Sequence, residues 1–250
     1  MISYDTLRPG ARGDAVRELQ RLLRNRGFAL AADGFFGALT DGAVRAFQSS
    51  HADQLGQPLA VDGMMGPLTW WALTHPKPEF APWSLDFAVM PPKTAGGIPV
   101  GRAALAVAIA ELQEEAREIG GNNRGLWVRK YLHGLAPEGN PWCAAFVSWC
   151  YAQHPGAMPF DYTLSARDLL NQFRRRGWAY DLAAGITPAP GDIVVWWRGQ
   201  PSGWQGHAGL VYGCKDGMLY TIEGNRTARV QGFSYVLSRM EKLLGFGRVG

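Results

Sequence analysis

The sequence predicts an α+β protein in which helices pack on an antiparallel sheet, preceded by a small three-helix bundle. Three observations point there. The first seventy-odd residues repeat a pattern of glycine turn followed by helix, and a proline-rich stretch comes next. Beyond it, helical periodicity gives way after Pro190 to short β-branched and aromatic runs, the order expected of an α+β domain. At 250 residues, 47% hydrophobic and 18% charged, the chain is long enough for a large core and too apolar for disorder.

At the N-terminal side, Asp14 can cap a helix whose apolar face is Val16, Leu19, Leu22 and Leu23, and Gly27 stops it. Asp33-Gly34-Phe35-Phe36-Gly37-Ala38-Leu39-Thr40 returns 29 residues later as Asp62-Gly63-Met64-Met65-Gly66-Pro67-Leu68-Thr69. In each copy Asp-Gly supplies a tight turn with a residue at positive φ, and a short helix follows. Pro67 suits the first position of the second such helix. Val44 and Phe47, then Trp70, Trp71 and Leu73, are the apolar positions of the middle and last helices. The aspartates read as turn residues, because the alternating oxygen ligands of a calcium loop are absent. Residues 1–74 are thus expected to form one domain and residues 98–250 another. Between them, residues 75–97 hold Pro76, Pro78, Pro82 and Pro91-Pro92 and end in Gly96-Gly97, which reads as a semi-rigid linker. Trp83, Leu85, Phe87 and Val89 alternate within it, as in a segment packed along a neighbour.

In the second domain, residues 102–119 are rich in alanine and glutamate and predict a helix closed by Gly120-Gly121. A turn at residues 122–125 and short helices over 126–132 and 165–176 are expected around a further helix that begins near Pro141. Strands are predicted at 193–197, 207–212 and 218–223, with two more at 230–236 and 243–249.

The helix near Pro141 contains the first candidate for chemistry. Asn140 is a good N-cap residue and Pro141 fits the first helical position, so Cys143 falls in the first turn. Unpaired N–H groups and the positive dipole end there favour a thiolate. Cysteine is equally a small buried apolar residue, the reading preferred for Cys150 one face deeper. An odd total of three cysteines argues against a disulfide framework, and residues 143 and 150 on one helix are separated by about 10.5 Å. A nucleophilic cysteine needs a base and a group that orients the base. His207 is the only histidine in a strand context. If Lys215-Asp216-Gly217 forms a three-residue hairpin loop, His207 lies opposite Asn225 and Glu223 is a diagonal neighbour on the same face. A two-residue Asp216-Gly217 loop would turn Glu223 and Asn225 to the other face. Of ten tryptophans, Trp142 and Trp204 are candidates for a substrate groove, and Trp149, Trp196 and Trp197 for the core.

Charge excludes other classes. The formal net charge of +4 falls within residues 98–250 and is too small and scattered for a nucleic-acid footprint. No run approaches the roughly 18 apolar residues of a membrane span. No CxxC or HExxH occurs, so neither a metal nor a cofactor is expected. The first residues lack a basic stretch followed by an apolar one, so synthesis in the cytoplasm without a secretory leader is expected.

Two resemblances join these readings. Leu7-Arg8-Pro9-Gly10, Gly13-Asp14, Val16, Leu19-Gln20 and Leu23, with the two Asp-Gly repeats, resemble the peptidoglycan-binding domain of bacterial and phage wall hydrolases over about residues 5–74. Met64-Met65 stands where that family often has an aromatic. Over roughly residues 100–249, the segments PWCAAFVSWCY, PGDIVVWW, GWQGHAGLVYG and TIEGN resemble the CHAP family of cysteine- and histidine-dependent amidohydrolases and peptidases. This second resemblance implies a papain-like fold, with Cys143 as nucleophile, His207 as base, and Glu223 and Asn225 completing the site. It implies attack on a peptidoglycan amide, at the sugar–peptide junction or within the peptide, without the calcium loop some members carry. The expected protein is a monomeric wall hydrolase of the phage endolysin kind, reaching the wall through a pore or secretion system. An inert wall-binding protein and a cysteine acyltransferase are the rival readings.

Overall fold

The computed structural model describes residues 6–51, 53, 59–75, 84–85, 96–226 and 228–250. The predicted linker lies mostly outside the described residues.

The N-terminal unit packs α1 (Asp14–Asn25), α2 (Ala38–Ser50) and α3 (Pro67–Thr74) around Val16, Leu19, Leu23, Phe36, Val44, Phe47, Met65, Trp70 and Leu73. Gly34 and Gly63 sit at φ +77° and +74°, as the Asp-Gly turns require. Each turn is gripped by a buried glutamine from the preceding helix. Gln20 donates to Asp33 Oδ1 (2.8 Å) and the Phe35 carbonyl (3.0 Å) and accepts from the Gly34 amide (2.8 Å). Gln48 repeats the pattern with Asp62 (2.9 Å), Met64 (2.9 Å) and Gly63 (2.9 Å). The internal repeat is therefore a helix, its glutamine and the turn that glutamine satisfies, with buried polar groups paired on both sides.

The C-terminal unit sets α4 (Pro99–Gln113), α5 (Leu126–Leu132), α6 (Cys143–Ala152) and α7 (Ala166–Arg175) against an antiparallel sheet. Its strands are β1 (Ser84–Leu85), β2 (Ala179–Tyr180), β3 (Ile193–Trp197), β4 (Gly206–Lys215), β5 (Met218–Glu223), β6 (Gln231–Val236) and β7 (Leu243–Gly247), in the order β1-β6-β5-β4-β3-β7-β2. Strand alternation divides the core. Ile193, Val195, Ala208, Leu210 and Ile222 pack with the helices, while Val194, Trp196, Val211, Leu219 and Phe233 form a second cluster. Leu85 of the linker pairs with Gly232, so this part of the stretch extends the sheet edge.

Two local expectations are corrected. The helix expected over 102–119 ends at Gln113, because Ala116 and Glu118 pair instead with Val230 and Ala228. The hairpin loop has two residues, since Lys215 faces Met218 across Asp216-Gly217. A bulge between Val211 and Gly213 then absorbs one residue, and Gly209 pairs with Glu223. The pairing ends there, before Asn225, but His207 and Glu223 still meet on one face, with Nε2 2.7 Å from Oε2.

Candidate active site

Cys143 is the first residue of α6, with Trp142 at the N-cap, and no side chain caps the helix. Asn140 turns away and donates to the Pro137 carbonyl (2.9 Å), so the cap expected from Asn140-Pro141 does not form. The helix start is held from outside. Asn225 Oδ1 accepts from the Trp142 amide (2.8 Å), and Asn225 Nδ2 donates to Asn123 Oδ1 (2.6 Å) and Glu118 Oε1 (3.2 Å). Glu118 also accepts from Trp142 Nε1 (3.0 Å) and the Asn123 amide (2.8 Å). Asn225 adopts φ +60°, a left-handed conformation that asparagine tolerates. Breaking α4 early is what delivers Glu118 to this bracket. Asn225 thus engages the backbone before the cysteine rather than the imidazole.

Trp142 is not a groove residue. It is fully buried, stacked on Tyr131 at 5.3 Å and edge-on to Phe146. Trp204, in contrast, is 80% exposed. Its loop is pinned by Arg167 of α7, which donates to the carbonyls of Gln200 (2.9 Å), Pro201 (2.9 Å) and Gln205 (2.8 Å).

His207 lies near the start of β4, fully buried, with its ring 5.6 Å from that of Trp196. Its Nε2 is 2.7 Å from Glu223 Oε2. The carboxylate fixes the tautomer, because Nε2–H is the donor and Nδ1 keeps a lone pair. Nδ1 is buried and has no hydrogen-bond partner among the described residues, so no such bond joins it to Cys143. Four donors converge on Glu223: His207, Thr221 (2.6 Å), Tyr235 (2.6 Å) and Arg226 (3.3 Å). Thr221, two residues back on the same strand face, was open to discovery from strand alternation. Arg226, Tyr235 and Glu118 carried no such signal.

The electrostatics follow from burial. Burial opposes ionisation of Glu223, but the Arg226 charge and the hydrogen bonds from His207 and Thr221 outweigh it and hold the carboxyl at about 2. Burial, then the Arg198 charge, push the His207 ring down to about 4 against the pull of Glu223. Burial raises the Cys143 thiol, with Arg198 and the amides of Ala208, Ala144 and Cys143 drawing it partway back. Burial thus favours the neutral thiol and the neutral imidazole, against the thiolate that the helix start alone favours. The Ala208 amide that lowers the thiol belongs to the residue after His207, so the sulfur lies near this part of β4.

Cys143 is 5% exposed, and that sliver opens into a cleft of about 440 Å³. One side is formed by Gly139, Asn140, Pro141, Leu164, Ser165, Ala166, Trp204, Gln205 and Gly206, the other by Gly42, Arg45, Ala46 and Val61 of the N-terminal unit. Among the described residues no three His, Cys, Asp or Glu side chains gather closely enough to share a metal ion, and no helix is long and apolar enough to cross a membrane.

The fold and this constellation define a two-unit protein, a helical repeat module followed by an α+β domain with a buried Cys/His/Glu centre. Residues 136–225 match the CHAP domain and residues 12–73 the peptidoglycan binding domain, so the chain carries a CHAP domain behind an N-terminal peptidoglycan-binding domain. Among curated proteins, the chain is similar to the zinc D-Ala-D-Ala carboxypeptidase of Streptomyces albus G, 43% identical over 68 residues. That match covers 26% of this chain and 24% of the carboxypeptidase, so the chain spans about a quarter of the length of that relative. Among solved structures, the endolysin of Burkholderia phage AP3 is 33% identical over 44% of this chain and 33% of its own, with a TM-score of 0.25. A fused Zn-dependent amidase/peptidase/peptidoglycan-binding protein from Clostridium acetobutylicum is 26% identical over 46% and 48%, with a TM-score of 0.26.

Proposed function

We propose that this protein is a peptidoglycan hydrolase that cuts an amide bond of the bacterial wall with Cys143, acting as an endolysin released to the wall through a membrane pore. The two domain matches support the substrate class, and the buried His207–Glu223 pair beside the Cys143 helix supports the chemistry. That pair is the observation on which the reading rests, because a buried carboxylate 2.7 Å from Nε2 fixes the ring tautomer and leaves Nδ1 as the basic nitrogen.

As the Cys143 sulfur attacks the carbonyl carbon, its proton passes to His207 Nδ1, and Glu223 stabilises the imidazolium so formed. Catalytic hydrogen bonds of this kind commonly tighten only when substrate is bound. In this reading the Cys143 amide, at the start of α6, donates to the developing oxyanion. The imidazolium then returns its proton to the leaving amine as the C–N bond breaks, leaving a thioester. Water, deprotonated by the same ring, hydrolyses the thioester and restores the thiol. Asn225 and Glu118 act by positioning the helix start.

The test uses purified sacculi with wild type and Cys143→Ala, following release of free amines and retention on the wall together. The variant is expected to bind like wild type and to release nothing. Amine release by Cys143→Ala at the wild-type rate would end the proposal.

A further inference from the structure

We infer that the N-terminal domain forms part of the catalytic cleft, and that the α2 face carrying Gly42, Arg45 and Ala46 is a subsite for the acidic peptide stem of a wall fragment held at Cys143. This rests on the peptidoglycan reading above and extends it, because it gives the binding domain a part in choosing substrate as well as in anchoring.

Three observations support it. Residues 42, 45 and 46 share one helical face by their i, i+3, i+4 spacing, and all three line the same cleft as Cys143 and Trp204. Gly42 lies inside α2, where glycine costs about 1 kcal/mol relative to alanine. Packing does not demand that glycine, since a Cβ built there would meet nothing within 4 Å. A side chain at 42 would instead project into the cleft, so the open space is what the helix-weakening residue preserves.

The two units are also joined at the cleft. Fully buried Arg198, next after β3, donates from Nη1 to the Gln48 carbonyl of α2 (2.8 Å), and Gln205 beside Trp204 donates to the Val61 carbonyl (3.3 Å). These two hydrogen bonds tie the units together beside the cleft. Arg45, its side chain 40% exposed, is held by Asp41 through Nε (2.9 Å) and by the Val61 carbonyl through Nη1 (3.3 Å), which fixes the guanidinium at the cleft wall, where it can donate to a carboxylate of the peptide stem. Exposed Trp204, from the other unit, offers a flat apolar face to the attached sugar.

Soluble glycan-peptide fragments, cut from sacculi by a muramidase, separate a subsite from an anchor because they need no anchoring. In the full chain, the series Gly42→Ala, Gly42→Leu and Gly42→Trp should lower kcat/KM on these fragments in order of side-chain size, at least tenfold at tryptophan. Retention on sacculi by Cys143→Ala combined with Gly42→Trp should match that of Cys143→Ala alone. If the tryptophan variant does not fold, the leucine variant decides. Fragment turnover within twofold of wild type across the folded series overturns the subsite and leaves the hydrolase reading standing. A wild type that releases no amines from sacculi or fragments overturns the hydrolase reading, and the subsite falls with it.

Discussion

Replacing Glu223 by glutamine isolates one electrostatic contribution. In the native site the carboxylate accepts from His207, Arg226, Thr221 and Tyr235. A glutamine keeps the shape: its oxygen can face His207 and Arg226, while its NH₂ faces the Thr221 and Tyr235 hydroxyls, which rotate to accept. The imidazole tautomer therefore survives and the negative charge does not. Nε2 and Oε2 are 2.7 Å apart, which puts the two charge centres about 4 Å apart. Opposite charges at that separation attract by about 4 kcal/mol at an effective dielectric of about 20. An imidazolium that exists only near the transition state loses that stabilisation, so kcat should fall about 1,000-fold with KM little changed. The same change leaves buried Arg226 without its counter-charge, at a stability cost of about 3–5 kcal/mol. Thermal unfolding is measured first, and rates of amine release from sacculi are compared where the variant is folded. A folded Glu223→Gln within threefold of wild type refutes the role given to the carboxylate.

Three further outcomes follow from the same geometry. Because burial holds His207 at about 4, the native ring stays neutral where the unfolded ring, near 6.5, takes up a proton. Stability is therefore complete above about pH 6.5 and declines from there towards pH 4, and the acid limb of kcat/KM lies well below 6.5; an acid limb at 6.5 contradicts this. Asn225→Ala strands the Trp142 amide and the Asn123 and Glu118 side chains, so unfolding free energy should drop by about 1–3 kcal/mol and kcat should fall more than KM changes. An unchanged Tm speaks against the bracket. Gly209→Ala places a Cβ 2.6 Å from Glu223 Cγ and should cost about 1–3 kcal/mol while displacing the carboxylate from the ring; wild-type kcat in that variant would show that the carboxylate has room to spare.

Much of this was legible because local rules and tertiary demands agree. The Asp-Gly turns, the core positions of α1 and the strands after Pro190 lie where periodicity puts them, since each buries one face and exposes no conflict. Cys143, His207 and Glu223 could be picked out by residue type, whereas the strand parity that joined the last two assumed a three-residue loop and holds only because a bulge offsets the shorter turn. Legibility failed where distant segments override a local preference. Trp142 looks like a groove residue because it adjoins the nucleophile, yet Tyr131 of α5, Phe146 one turn along α6 and Glu118 in the segment after α4 enclose it. The helix expected to continue to residue 119 has good propensity throughout, but pairing with residues 228–230 and the needs of Glu118 end it six residues sooner. At Cys143 two tendencies oppose each other, since a helix start favours a thiolate while burial of the ring and the sulfur raises the thiol and lowers the imidazole.

The hairpin shows why such a site tolerates irregular backbone. A two-residue loop alone would turn Glu223 away from His207, and a bulge alone would do the same. Together they cancel, with Lys215 facing Met218 at one end and Gly209 facing Glu223 at the other. The register that matters is the one fixed by the buried polar groups, since a one-residue slip would leave His207 without the carboxylate across from it. Such a loss of several kcal/mol exceeds the preference of any single turn type. Gly209 and Gly224 serve the same end, because a Cβ at either would collide with Glu223 or Trp142. The motif's glycines thus mark where the imidazole–carboxylate pair and the cysteine helix come too close for any other residue, and the bulge at Tyr212 is the adjustment that lets a tight turn feed that geometry.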